Sequence, residues 1–145
     1  GIHMKTWDLS DLYQGFDETY QADVAQLDLL LDEYILFIRQ SDATEVKYIE
    51  GYLSFQEKLD SMARTLFSYP SLVMSTDVTN QEAPVYMSKL QQIFRKATAE
   101  EVLFSRYLLT IDLDDLSAQS DLIKKYLFLL NNFCLQNSES IFLNC

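Results

Sequence analysis

Histidine is nearly absent from this sequence. The single one, His3, falls in the opening "GIHM", which resembles a cloning scar ending in an initiator methionine, Met4. With residues 1–4 set aside, no histidine is left to serve as base in Ser-His or Cys-His nucleophile schemes. The Glu-x-x-His pairs of di-iron bundles are missing for the same reason. Cysteine is scarce as well: Cys134 and Cys145 are the only two, too few and too far apart for a disulfide framework or a tetrahedral zinc site. Cys134 lies in an apolar stretch and is expected to be a buried thiol, while the terminal Cys145 supports no site. The three glycines, Gly1, Gly15 and Gly51, form no phosphate-cradling loop. With only two prolines beside them, they leave little punctuation for an all-β fold, so long helices with few breaks fit better.

Positive charge is also short. Lys and Arg total 11 against 22 Asp and Glu, a formal net charge of −11. Such a chain lacks the clustered cations that displace counterions from nucleic acid or bind an anionic membrane surface, and the acidity reads as a source of solubility. There is no apolar run of about 18 residues and no secretory leader pattern at the start, so a cytoplasmic location is expected. Tryptophan occurs once, as Trp7. A terminus stays ordered only when something ties it down, and this large side chain is expected to dock it against later helices.

What the chain has is apolar and aromatic bulk, 48% and 13% of its residues. That supplies a core and disfavours disorder despite the charge. The length suits one domain, taken as residues 5–145. Asp8 or Ser10 can cap a short turn that Gly15 ends, and Asp17 is a good N-cap for the first long helix. In that helix Tyr20, Val24, Leu27, Leu31, Tyr34 and Ile38 recur at amphipathic spacing. Leu30, Ile35 and Phe37 widen its apolar stripe. After the cap-rich "SDAT", a second helix carries Ile49, Leu53, Leu59, Met62, Leu66 and Tyr69. Gly51 in it costs about 1 kcal/mol relative to Ala unless something packs closely there. Asp60 and Arg64, four apart, make a weak supporting pair. Pro70 predicts a kink or break, with irregular chain by Asp77.

"STDVTNQEAP" is the strongest loop and cap signal: Asp77, Thr79 and Asn80 are cap formers, and Glu82 and Pro84 suit a first helical turn. A third, long helix is expected through Met87, Leu90, Phe94, Ala97, Phe104, Leu108 and Ile111. Glu101 sits on that stripe. A carboxylate there can be a functional group with a perturbed pKa; the preferred reading is a boundary residue whose head reaches solvent or an arginine. "DLDDLSAQSD" offers caps at Asp114, Ser117 and Ser120 but lacks the ligand spacing of a calcium loop. A fourth helix runs from about Asp121 through Ile123, Tyr126, Leu127, Leu130 and Phe133, and Ser138 caps an element cut off at the chain's end. The expected fold is therefore all-α, an antiparallel bundle of four main helices with short terminal pieces, truncated at its C-terminal end. Glu100 with Glu101 and Asp114 with Asp115 are neighbours in sequence, so on a helix they point apart and make no acid/base pair. No catalytic or metal-ligating residue emerges, and no substrate-binding residue can be assigned.

In order along the chain, several stretches resemble oligoendopeptidase F-like zinc metallopeptidases, relatives of thimet oligopeptidase. "WDLSDLY" is similar to that family's opening. The block "EKLDSMARTLFSYPSLVMSTDVTNQEAPVYMSKLQQIF" carries the likeness through Leu66, Ser68, Tyr69, Ser71 and Leu72, then Ser75, Thr76, Asp77, Thr79 and Asn80. "LDDLSAQSDLIKKYLFLL", with Tyr126, resembles the family's next segment, so the likeness extends from Trp7 to about Leu130. It implies a non-catalytic, all-helical N-terminal domain that forms one wall of a channel for short peptides. The family's HExxH zinc helix is not in this chain, so zinc and hydrolysis would belong to the missing catalytic half of the parent. Pro70 departs from the helix former usual at that place, and "IFLNC" matches no natural domain end. The alternative is a free-standing helical module that binds a peptide or partner helix in a groove. Self-association as a symmetric dimer is also expected, through Leu30, Ile35, Phe37 and the tail "SESIFLNC".

Overall fold

The computed structural model describes residues 13–133. Trp7, Cys134, Ser138 and Cys145, and the readings placed on them, lie outside that range. Among the described residues the chain is all-α, without strand. Its helices are α1 (Glu18–Gln40), α2 (Glu45–Thr76), α3 (Glu82–Arg95), α4 (Thr98–Leu108), α5 (Leu113–Ser117) and α6 (Asp121–Lys125), with a further helical stretch over 127–133. They belong to two compact units. Among the described residues, one takes 13–31 together with Leu59–Arg95; the other takes Asp32–Lys58 and 96–133.

The helix starts obey the caps. Asp17 Oδ1 accepts from Tyr20 N at 3.1 Å to open α1. Asn80 Oδ1 accepts from both Glu82 N and Ala83 N at 2.9 Å to open α3. Ser120 Oγ accepts from Ile123 N at 3.2 Å to open α6. At α5 the cap is Asp112, whose side chain accepts from Asp115 N, rather than Asp114. The first stripe is fully buried, from Tyr20 to Ile38, because its spacing of three and four keeps it on one side of the helix.

In the first unit, Tyr13, Phe16, Tyr20, Tyr69 and Tyr86 form an aromatic cluster, with Phe16 stacked on Tyr86 at 4.8 Å and edge-on to Tyr20 at 5.1 Å. Here α2 passes unbroken through Pro70, where the sequence predicts a kink or break. Proline has no N–H to give to the carbonyl four residues back, which leaves Leu66 without its usual helical donor. The Tyr20 hydroxyl donates to Leu66 O at 2.7 Å in a buried bond. A side chain from α1 thus replaces the missing backbone group, and the helix continues.

In the second unit, Gly51 faces Phe37. A Cβ added at Gly51 would lie 2.2 Å from Phe37 Cζ, so close packing is what this glycine permits. Two predicted helices are each divided here. The third turns at Lys96 and Ala97, where Ala97 adopts φ −98°, ψ 10°. Neither Gly nor Pro marks the place. Instead Ala97 is buried and Lys96 Nζ pairs with Asp32 at 2.9 Å, while Glu101 N still donates to Ala97 O at 2.9 Å. The fourth turns at Tyr126 (φ −107°, ψ 15°), whose hydroxyl donates to Glu57 at 2.5 Å. Helical pairing resumes at once, with Leu130 N donating to Tyr126 O at 2.9 Å. Among the described residues two of the four expected main helices are thus divided, and α5 adds a short helix between α4 and α6.

Candidate functional site

The chemically least ordinary place in the described residues is the first turn of α4, in the second unit. Glu100 and Glu101 are adjacent there and head in different directions, as helical geometry requires. Glu100 is buried, and its carboxylate takes the Arg39 guanidinium in an ion pair. Glu101 is half-buried, in keeping with the preferred sequence reading of a boundary carboxylate, and Arg39 pairs with its neighbour. The Glu101 carboxyl lies among Tyr34, Tyr52 and Gln56, with the Tyr52 hydroxyl 3.4 Å from its Oε2.

α1 supplies Tyr34, which is fully buried, and α2 supplies Tyr52 and Gln56. These two are four residues apart, so they share one side of the helix. Packing fixes both rings. Tyr52 stacks on Phe104 at 3.7 Å and 10°, and Tyr34 meets Phe55 edge-on at 5.7 Å. Burial raises the Glu101 carboxyl above the usual carboxylate range, against the opposing pull of hydrogen bonding from Tyr34, Gln56 and Tyr52. Burial likewise pushes the Tyr34 and Tyr52 phenols well above the ordinary tyrosine value, helped by the charge of Glu101 beside them. Both phenols are therefore donors and not bases at any working pH. Tyr34 Oη and Gln56 Nε2 are buried and bear on the same carboxyl. The sequence places Tyr34 and Glu101 on their stripes. The Tyr52–Gln56 spacing was available as a signal, but which helix faces which was not.

Elsewhere in this unit, among the described residues, an open depression of about 470 Å³ includes Asp114 and Asn131, and another of about 300 Å³ includes Asp115 and Gln119. The two neighbouring aspartates line different depressions. Among the described residues no group of three or more His, Cys, Asp or Glu could hold a metal ion. The residues described do not fit a catalytic zinc. Also among them, no helix is long and apolar enough to cross a membrane. No family model, curated protein or solved structure matches this chain.

Proposed function

We propose that this chain is a non-catalytic helical lobe of a larger enzyme, of the kind that helps enclose a short-peptide channel in oligoendopeptidase F-like zinc metallopeptidases. In this reading the chain works in the cytoplasm, and its partner is the catalytic half of the parent, which holds the zinc and acts on oligopeptides. What supports it is the order and spacing of the resembling stretches, and above all the block that contains "STDVTNQEAP". Its residues have defined local work. Asp77 Oδ1 accepts from Thr79 N at 3.1 Å and from the Thr79 hydroxyl at 2.6 Å, and Asn80 caps α3. The reading rests on those residues.

The test is to read the gene beyond Cys145 in all frames. An HExxH segment downstream is the expected result; a locus that closes without one overturns the proposal. The purified chain, with or without added zinc, is expected to leave oligopeptides intact, because it offers no set of zinc ligands and no base to activate water. Peptidase activity that is lost on chelation and lost again in a core variant would contradict this.

A second reading, a free-standing module that binds a helix or peptide, is favoured by one observation. Leu103, Leu109, Phe128 and Leu129 of the second unit are exposed, Phe128 to 79%. A gene that ends without HExxH would move the balance to this reading.

A further inference from the structure

We propose that the open depression between α4 and α5 receives a basic, apolar segment of another protein: a large apolar side chain enters it, and an adjacent lysine or arginine meets Asp112 and Asp114. Such a site rests on the second reading, in which the chain binds a helix or peptide, and gives it a place and a partner chemistry. The depression follows from how the chain leaves α4. Leu108 and Leu113 are buried, which pins the connection at both ends. The N–H groups of Leu109 and Thr110 turn back to Arg106 O and Tyr107 O, and the Thr110 hydroxyl also donates to Tyr107 O at 2.7 Å. Between this fixed connection and Asn131 lies a space of about 470 Å³. Sites that hold a ligand run from roughly 300 to 1,000 Å³.

The lining selects the occupant. Leu109 is 52% exposed and Ile111 is half-buried, so apolar surface stays in water until something covers it. Asp112 and Asp114 are exposed at the same depression. No lysine or arginine lines it, and among the described residues neither aspartate takes part in an ion pair. Asp112 also borders the smaller depression, which adds Glu45 and Asp115, so negative charge continues past the rim. Nucleic acid and anionic membranes are repelled by that charge. A second copy of this chain brings 22 acidic residues against 11 basic ones and fits the rim poorly. A cationic segment with an apolar anchor matches both the rim and the wall. Because the depression is open, it suits the anchor of a larger partner better than a small molecule, which binds where most of its surface is enclosed.

Titration of the isotope-labelled full chain with synthetic peptides, followed by amide chemical shifts, tests this. The probes are Gly-Lys-Leu-Leu-Arg-Gly with blocked ends, a charge-reversed form with Glu at the two basic positions, and a form with Ser for both leucines. The first is expected to shift the amides of 109–114 and Asn131, and the other two to leave them nearly unmoved at the same concentration. Asp114→Asn spares the α5 cap, which belongs to Asp112, and is expected to weaken binding about two- to fivefold, as loss of one exposed ion pair does. Added salt should weaken the wild type more than this variant. Equal binding of the charge-reversed peptide, or an affinity unchanged in Asp114→Asn, would overturn the proposal. Shifts confined to other residues would overturn this site and leave a peptide-binding module standing, whereas no shift with any probe would overturn both. Shifts over 109–114 on concentrating the chain alone would assign the depression to a second copy and overturn the proposed occupant.

Discussion

Tyr20 is a core residue whose hydroxyl has a specific duty: it supplies the donor that Pro70 withholds from Leu66. Removing it by Tyr20→Phe leaves a buried carbonyl unpaired and is expected to cost about 1–3 kcal/mol in urea unfolding. The diagnostic is a double-mutant cycle with Pro70→Ala. Alanine restores the N–H, so Tyr20→Phe in that background should cost clearly less. Equal costs in both backgrounds would show that the hydroxyl does something else.

Gly51 gives a prediction of opposite sign to the usual one. Gly→Ala inside a helix normally gains about 1 kcal/mol. Here the new methyl meets the Phe37 ring, which is stacked on Tyr48 at 5.5 Å and packed on Phe55 at 5.5 Å. Phe37 can yield only by giving up those contacts, so Gly51→Ala is expected to destabilise by about 1–3 kcal/mol. Adding Phe37→Leu should recover part of the loss. Composition alone showed the cost of this glycine; only the facing ring explains why it is borne.

Glu101 carries a pH dependence whose sign can be worked out. Its carboxyl is raised above the ordinary value of 4.5 by burial, so between that value and the raised one the folded chain binds more protons than the unfolded chain. Stability attributable to this residue therefore falls as pH rises through that window. Glu101→Gln removes the titration. Relative to wild type, it is expected to lose less stability between acid and neutral pH, read from thermal midpoints at matched ionic strength. A wild-type minus variant difference that is flat with pH, or that grows with the opposite sign, would refute the assignment.

At the scale of elements, the stripes were legible because they depend only on helical period. In the first, Tyr20, Val24, Leu27, Leu31, Tyr34 and Ile38 are all buried. Caps were legible where a short polar side chain precedes the helix, as at Asp17, Asn80 and Ser120. Asn80→Ala is accordingly expected to cost about 0.5–2 kcal/mol, with Asn80→Asp close to neutral; denaturant midpoints measure both. The divisions at Lys96–Ala97 and Tyr126 were not legible. No proline or glycine marks them, and they coincide with long-range contacts, Lys96 to Asp32 and Tyr126 to Glu57. Pro70 failed in the other direction: the proline does lack its donor, but a distant tyrosine supplies one to Leu66 and no break follows. The Glu101 cluster was half legible for the same reason, since Arg39 goes to Glu100 and no local pattern says which of two adjacent glutamates it takes.

For the whole molecule, the question is what its exposed apolar residues meet. The sequence points to Leu30, Ile35 and Phe37 as a dimer surface, yet all three are only partly exposed, and Phe37 is engaged with Gly51 and Tyr48. The exposed apolar residues of the second unit, led by Phe128, are better candidates for self-association. The net charge of −11 opposes pairing, but charges more than about 8 Å apart are largely screened at physiological salt. Apolar burial contributes roughly 25 cal/mol per Å², and a stable pair buries about 800 Å² on each partner. We therefore expect the isolated chain to form a dimer at high micromolar concentration, more completely as salt is raised. Light scattering should then report about twice the 16.9 kDa chain mass, and Phe128→Glu should return it to the monomer value without altering the helical circular dichroism. A monomer mass in both low and high salt would overturn self-association and leave those residues to a different partner.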